Sequence, residues 1–265
     1  MSEENNEAEN GGRMSFLEHL AELRQRLIRC VIAIGLGFAV CLAFGERVFK
    51  LLAEPLTAIL KGTPMVFTAL PDPFFMYMKV SLISGIFIVL PYIIYQLWLF
   101  VYPGLLPRER KLAFPFIFVA TLLFYLGAAF AYFAVFPAAF KFFISYQTPD
   151  LKAMISIRDY VSLAMLLMLA FGAVFETPII VVFLGLLGVF DSSFLKRGRR
   201  YFVVLAFIIA AILTPTPDVI NQTIMAVPMI LFYEVGIQVL AIFERKRAKE
   251  ANQEMAEENQ AESGN

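Results

Sequence analysis

Four long apolar stretches constrain the fold of this chain more than any other feature of its sequence. They cover roughly residues 27–45, 73–102, 112–140 and 160–190, and a helix needs about 20 mostly apolar residues to cross the hydrocarbon core of a bilayer. The composition agrees, because 60% of the 265 residues are hydrophobic and 28 are Phe. Soluble domains rarely have such a composition. We therefore expect an all-α integral membrane protein.

Two further apolar stretches are short or interrupted. Residues 201–214 would form a helix only about 21 Å long, and residues 219–243 are interrupted by polar side chains and Pro228. The linking sequence TPTPD at 214–218 contains two prolines and predicts a tight turn between antiparallel helices. The sequence therefore predicts six transmembrane helices. Because the fifth and sixth are short, we expect a concave, cupped bundle.

The distribution of basic residues predicts the orientation. Lys and Arg concentrate in the N-terminal segment, in the second and fourth connections and in the tail. Because such residues accumulate in cytoplasmic segments, we predict both termini inside the cell, with residues 46–72 and 141–158 outside. The predicted domains are a disordered acidic N-terminus (1–13), a six-helix membrane domain (14–243) and a disordered cytoplasmic tail (244–265), whose compositions are polar.

The sequence carries no signature of an enzyme, a cofactor site or a metal site. It lacks the phosphate-binding GxxxxGK[ST] loop and the HExxH and GxSxG motifs. His19 is the only histidine, and the formal net charge is zero. We therefore expect a non-enzymatic protein without cofactor, metal or nucleic-acid partner.

Two polar features lie in the predicted cytoplasmic segments. The first is SFLEHLAELRQRL at 15–27, a predicted helix in which Glu22 and Arg26 lie one turn apart. The second is YPGLLPRERKL at 102–112, in which Glu109 lies between two arginines. Spacing alone favours a solvated helix face for the first and an ordinary cytoplasmic loop for the second.

The third polar feature is Glu176, which lies within the fourth long apolar stretch. Because a carboxylate at the centre of a bilayer costs about 3 kcal/mol on the mildest scale, such residues usually face a cavity, a partner or an ion path. A helical side chain leans toward the N-terminus of its helix, which places Glu176 over Gly172 and Ala173. Pro178 cannot donate a hydrogen bond to the Val174 carbonyl. We therefore expect a wet hollow beside Glu176, inside the bundle.

Five segments together resemble the signature segments of the TatC family, the polytopic core of the twin-arginine protein translocase. They are EHLAELRQRL, YQLWLFVYPGLLPRERK, FYLGAAFAYFAVFP, AFGAVFETP and TPTPDVINQ, and the resemblance covers roughly residues 14–243. It implies a multi-pass protein of the bacterial cytoplasmic (inner) membrane that is a receptor for signal peptides carrying two consecutive arginines. It also implies TatA- and TatB-type single-span partners, self-association in a larger complex, and export of folded proteins driven by the proton-motive force.

The resemblance also implies roles for individual residues. Glu22 and Glu109 match the carboxylates of the family's signal-peptide site, and two arginines require two acceptors because each guanidinium fork is accepted by its own carboxylate. The other matched positions are Arg24 and Phe100 at that site, Glu176 and Gln222 within the spans, and Pro55 and Asp218 at structural or partner contacts. This chain has PTPD at 215–218 where the family often has TPPD, so the threonine that faces a partner helix stays undetermined.

Two other classes of function stay open on the residues alone. A proton-coupled secondary transporter would use Glu176 as its titrating group, and an internal repeat would support it, but the two halves of the chain have no convincing similarity. An intramembrane enzyme would need a second catalytic group at the depth of Glu176, and none is apparent.

Overall fold

The computed structural model describes residues 16–60, 65–102, 113–148, 154–213 and 219–263. Within these ranges the chain is almost entirely helical and contains no β-strand. The helices are α1 Phe16–Ala43, α2 Gly45–Leu60, α3 Asp72–Val101, α4 Ala113–Phe130, α5 Phe136–Ile144, α6 Ile157–Phe175, α7 Thr177–Leu186, α8 Ser192–Leu213 and α9 Val219–Ser263. The predicted all-α class is confirmed.

Several of these helices are long and apolar enough to cross a membrane, so the chain is a multi-pass membrane protein. The five such segments are Glu18–Ala43, Asp72–Val101, Phe114–Ile144, Ile157–Leu186 and Gln222–Lys249. They correspond to the first four predicted spans and the sixth. The predicted fifth span is the apolar second half of α8, whose first half carries four basic residues. These elements are consistent with the six-span arrangement.

The third span is not a single regular helix. A π-helical segment, Ala131–Val135, connects α4 to α5, and Pro137 lies in the first turn of α5. Proline has no backbone N–H to donate, so the regular hydrogen-bond pattern changes before this residue. The three pieces nevertheless form one continuous apolar segment.

α6 lies at the centre of the bundle. Its residues Val161, Leu167 and Phe171 are fully buried, and it packs against α3 and most extensively against α4. On one side α1 packs along α3, and on the other α9 packs against α7 and α8. α1 and α3 approach closely at Gly37 and Gly85, because a Cβ built on Gly37 would lie 2.8 Å from the Gly85 carbonyl oxygen. Small residues commonly permit such crossings between membrane helices.

α2 is an amphipathic helix that packs against α3 and α5. Pro55 lies inside it and cannot donate to the Leu51 carbonyl. That carbonyl instead accepts a hydrogen bond from the Tyr132 hydroxyl at 2.6 Å, and the next carbonyl, of Leu52, accepts one from the buried Tyr160 hydroxyl. Two tyrosines from outside α2 therefore bind its backbone beside the proline.

The two connections that the sequence predicts outside the cell meet at one end of the bundle. Val66 and Ser156 form a single parallel β-bridge, with a hydrogen bond of 2.8 Å from the Ile157 amide to the Val66 carbonyl. The buried Asp72 carboxylate accepts a hydrogen bond from the Ala69 amide at 2.8 Å. The two connections are expected to lie close together in this way if both are on the same side of the membrane.

The end of the chain differs from the expected disordered tail. Residues 244–263 continue α9 as a helix, and their sequence is rich in Ala, Glu, Lys and Gln, which all favour helix. The start of this extension is anchored, because Glu244 accepts a hydrogen bond from the Ser192 amide at 2.8 Å and Arg247 donates to the Leu186 carbonyl at 3.2 Å. The predicted N-terminal domain, 1–13, lies outside the described residues.

Candidate functional site

Glu22 lies on α1, and its carboxylate is paired within the chain. Arg26, one turn further along the helix, donates from Nε to Glu22 Oε1 at 3.0 Å and from Nη2 to the same oxygen. The side chains of Arg26 and Glu22 are only 16% and 18% exposed. The solvated face that spacing alone favours is therefore wrong for these two residues.

Three other side chains, those of Gln96, His19 and Phe100, surround this pair, and we call the five residues the Glu22 cluster. Arg26 Nη1 donates to Oε1 of the buried Gln96 on α3 at 3.3 Å. The His19 ring stacks on Phe100, with ring centroids 4.2 Å apart, and His19 Nδ1 lies 3.8 Å from Glu22 Oε2. Within the described part of the chain, this second carboxylate oxygen is buried and has no hydrogen-bond partner. Buried polar atoms are rarely left unpaired, so Oε2 is an acceptor available to a ligand.

The structure brings together two of the four residues predicted for this site. Glu22 is bonded to Arg26, and Phe100 stacks on His19. Arg24 is exposed on α1. Glu109 lies in 103–112, outside the described residues, so its pairing with Glu22 stays a prediction.

Three residues of the cluster were not assigned to a site from the sequence. His19 and Arg26 lie three residues before and four residues after Glu22, which places all three on one helix face, and this spacing was the available signal. Gln96 is an amide within a long apolar stretch. Because burying an amide requires a partner, Gln96 could have been identified by the same argument that identified Glu176.

Glu176 lies at the junction between two helices, as its proline neighbour predicts. α6 ends at Phe175 and α7 begins at Thr177. The Thr177 hydroxyl donates to the Val174 carbonyl at 2.5 Å, which is the carbonyl to which Pro178, having no backbone N–H, cannot donate. The role of Thr177 was not anticipated from the sequence.

A cavity of about 440 Å³ lies beside Glu176, between α3, α4 and the α6–α7 junction. Ala173 lines it, as expected, but the space beside Gly172 is filled by Phe124, since a Cβ on Gly172 would lie 2.7 Å from that ring. Its walls are apolar, whereas a wet hollow was expected. Two buried polar atoms of its lining residues lack a hydrogen-bond partner in the described chain, Glu176 Oε1 and Trp98 Nε1.

The remaining predicted residues lie apart from these two sites. Gln222 on α9 donates from Nε2 to the Phe207 carbonyl of α8 at 2.8 Å, and so it ties the two helices together. Pro55 lies in α2, beside the carbonyls that the two tyrosines bind. Asp218 lies outside the described residues. Among the residues that are described, no group of His, Cys, Asp and Glu side chains could hold a metal ion.

Comparisons with known proteins agree with these features. Residues 18–228 match the family model for TatC, the Sec-independent protein translocase protein. The chain is similar to proteins named Sec-independent protein translocase protein TatC from Desulforapulum autotrophicum (41% identity; 92% of this chain and 90% of that protein covered) and Escherichia coli strain K12 (38%; 83% and 86%). It also resembles a crystal structure of the twin arginine translocase receptor TatC, with a TM-score of 0.74 and 38% identity over 85% of this chain and 99% of that one. The family match and the relatives both cover most of the chain, and it therefore belongs to the TatC family.

Proposed function

We propose that this protein is the signal-peptide receptor and polytopic core of a twin-arginine translocase. The observation that carries the proposal is the Glu22 carboxylate, which is hydrogen-bonded to Arg26 and keeps one buried oxygen without a partner in the described chain. A guanidinium suits such an acceptor because its planar fork can direct two donors at a single oxygen, as Arg26 does at Oε1. A protein of this family is a translocase component and not an enzyme. The alternative of a proton-coupled secondary transporter is not favoured, because the relatives are protein translocase proteins.

The proposed ligand is the pair of consecutive arginines in a signal peptide. Glu22 accepts one arginine and Glu109 the other, with Arg24 and Phe100 beside them. The arginines that flank Glu109 in the sequence weaken the binding of a single stray cation. Discrimination between a signal peptide and other cations therefore depends on two arginines meeting Glu22 and Glu109 together.

The test is binding of a synthetic twin-arginine signal peptide to the purified full-length protein. Glu22→Gln and Glu109→Gln should each weaken binding, since each removes a charged acceptor but keeps the shape of the side chain. Glu54→Gln is the matched control, because Glu54 is exposed on α2, at the other end of the bundle. If the double variant binds normally and still prefers two arginines over two lysines, the assignment is wrong.

The proposed partners are TatA- and TatB-type single-span proteins, which would dock on α8 and α9. Val204, Ile208 and Ile212 are exposed at steps of four residues on α8 and form an apolar stripe that another helix can cover. The apolar part of α8 is shorter than a bilayer core, and a neighbouring helix accommodates such a mismatch better than lipid does. Self-association of this chain within the larger complex is part of the same proposal.

Glu176 is proposed to act after signal recognition. It faces the apolar cavity between α3 and α4, and none of the described residues that line this cavity belongs to the Glu22 cluster. A donor on a partner helix or on the transported signal segment would satisfy its unpartnered oxygen. In this proposal the protein moves folded cargo across the bacterial cytoplasmic (inner) membrane, driven by the proton-motive force.

A further inference from the structure

The Glu22 carboxylate uses only one of its two oxygens for hydrogen bonds within the described chain. Arg26 directs donors on Nε and Nη2 at Oε1, whereas the buried Oε2 receives none. We propose that Arg26, anchored by Gln96, is a positioning residue that holds Glu22 so that Oε2 receives the guanidinium of the signal peptide. This inference rests on the proposed function and specifies how the site is prepared before the ligand arrives.

Gln96 fixes the guanidinium of Arg26 from a second helix. The Gln96 side chain is 3% exposed and accepts the hydrogen bond from Nη1 at 3.3 Å, so the Arg26 fork is bound on α1 and on α3. Because a guanidinium is planar, bonds to two different partners fix its plane as well as its position. The cost of ordering these side chains is then met during folding and not during ligand binding.

A comparison within the same molecule distinguishes this pair from an ordinary ion pair on a helix. Glu46 and Lys50 have the same four-residue spacing on α2, but their side chains are 69% and 72% exposed. Exposed pairs of this kind contribute little, and water reaches both carboxylate oxygens. The Glu22–Arg26 pair is only 18% and 16% exposed, and Oε2 has no hydrogen-bond partner in the described chain, so it is open to a donor from a ligand.

Two roles of Arg26 predict opposite effects of its removal. If Arg26 only competes with the ligand for Glu22, or only repels it, removing its positive charge strengthens peptide binding. If Arg26 positions Glu22, removing it frees the carboxylate to rotate and leaves it poorly paired, and binding weakens. The sign of the change therefore separates the two roles.

The experiment measures the affinity of a twin-arginine signal peptide for the full-length protein in detergent or nanodiscs. Arg26→Gln should weaken binding about tenfold or more, the scale of one lost charge-assisted hydrogen bond. Gln96→Leu changes no charge and should weaken binding several-fold by releasing Arg26. Gln96→Glu keeps an acceptor for Arg26 and should bind the peptide about as tightly as the wild type. Arg29→Gln is the charge control, since Arg29 is exposed one turn away, and it should bind normally.

The ratio of affinities for twin-arginine and twin-lysine peptides gives a second readout. This ratio should fall in Arg26→Gln and Gln96→Leu. A carboxylate that can rotate no longer holds Oε2 in the fixed direction that the planar guanidinium of arginine needs, whereas the ammonium of lysine has no such requirement. Thermal unfolding of each variant shows whether it is folded. The inference is overturned if Arg26→Gln binds the peptide as well as or better than the wild type does. It is also overturned if Gln96→Glu is folded but binds the peptide as weakly as Gln96→Leu.

Failure of this inference is distinguishable from failure of the proposed function. If Glu22→Gln binds the twin-arginine peptide normally, the proposed binding site is wrong and the inference fails with it. If Glu22→Gln abolishes binding while Arg26→Gln and Gln96→Leu retain the wild-type affinity, only the positioning role is wrong.

Discussion

At the scale of single residues, several hydroxyl side chains donate hydrogen bonds to backbone carbonyls that lie beside prolines. Tyr160 is 2% exposed and donates to the Leu52 carbonyl near Pro55. Tyr160→Phe removes only the hydroxyl and should lower the free energy of unfolding by about 1–3 kcal/mol, the cost of a lost buried hydrogen bond. Thermal unfolding in detergent measures this. Tyr146→Phe is the control, because Tyr146 is 64% exposed; an equal loss in both variants would contradict the assignment.

Glu176 carries the second prediction at this scale. Glu176→Leu removes the acceptor from the cavity and should impair export of a folded reporter, while twin-arginine peptide binding at the Glu22 cluster stays normal. Ile180→Leu is a matched control, since Ile180 lines the same cavity and the change conserves volume. Normal export by Glu176→Leu would show that the carboxylate has no role in transport.

At the scale of helices, close packing at glycines holds α1 against α3. Gly37→Ala would place a Cβ 2.8 Å from the Gly85 carbonyl oxygen, and overpacking of this kind costs about 1–3 kcal/mol. Gly35, on the same helix, has no neighbouring atom within 4 Å of a built Cβ. We therefore expect Gly37→Ala to lower the unfolding temperature and Gly35→Ala to leave it unchanged or raised. The reverse order would show that the helices do not cross at Gly37.

The outer face of α8 carries a prediction about partners. Cysteines introduced along 205–213 should crosslink to a cysteine in a single-span partner helix only where the native side chain is exposed. Ile208→Cys and Ile212→Cys should capture it, because these positions are exposed, whereas Ala206→Cys and Ala210→Cys should not, because both are buried. Capture at all four positions, or at none, would contradict docking on this face.

These elements also show what the sequence can and cannot predict. The long spans follow from the length of their apolar stretches, and the helix junction at Glu176 follows from Pro178. The bond from Arg26 to Gln96 joins residues 70 positions apart, and only helix packing decides such a pair. Likewise, the position of Phe124 beside Gly172 depends on how α4 packs against α6, which the composition of either helix leaves undetermined.

At the scale of the whole molecule, α8 decides the topology. Five segments of the described chain are long and apolar enough to span, and α8 has an apolar half of only about 20 Å against a core of about 30 Å. If α8 crosses, the bilayer thins around it, the number of spans is six, and both ends of the chain lie in the cytoplasm. If it does not cross, α9 carries the C-terminal extension to the opposite side.

Cysteine labelling in intact cells separates these two arrangements. In a background that lacks Cys30 and Cys41, Leu70→Cys should react with a membrane-impermeant maleimide without permeabilisation, because residue 70 is 90% exposed in a connection predicted outside. Met255→Cys, 54% exposed on the extension of α9, should react only after the membrane is permeabilised. Phe194→Cys, at the start of α8, should behave in the same way because the basic residues beside it are predicted to stay inside. Labelling of Met255→Cys in intact cells would leave five spans and place the extension outside, away from the side on which the Glu22 cluster is predicted to bind signal peptides.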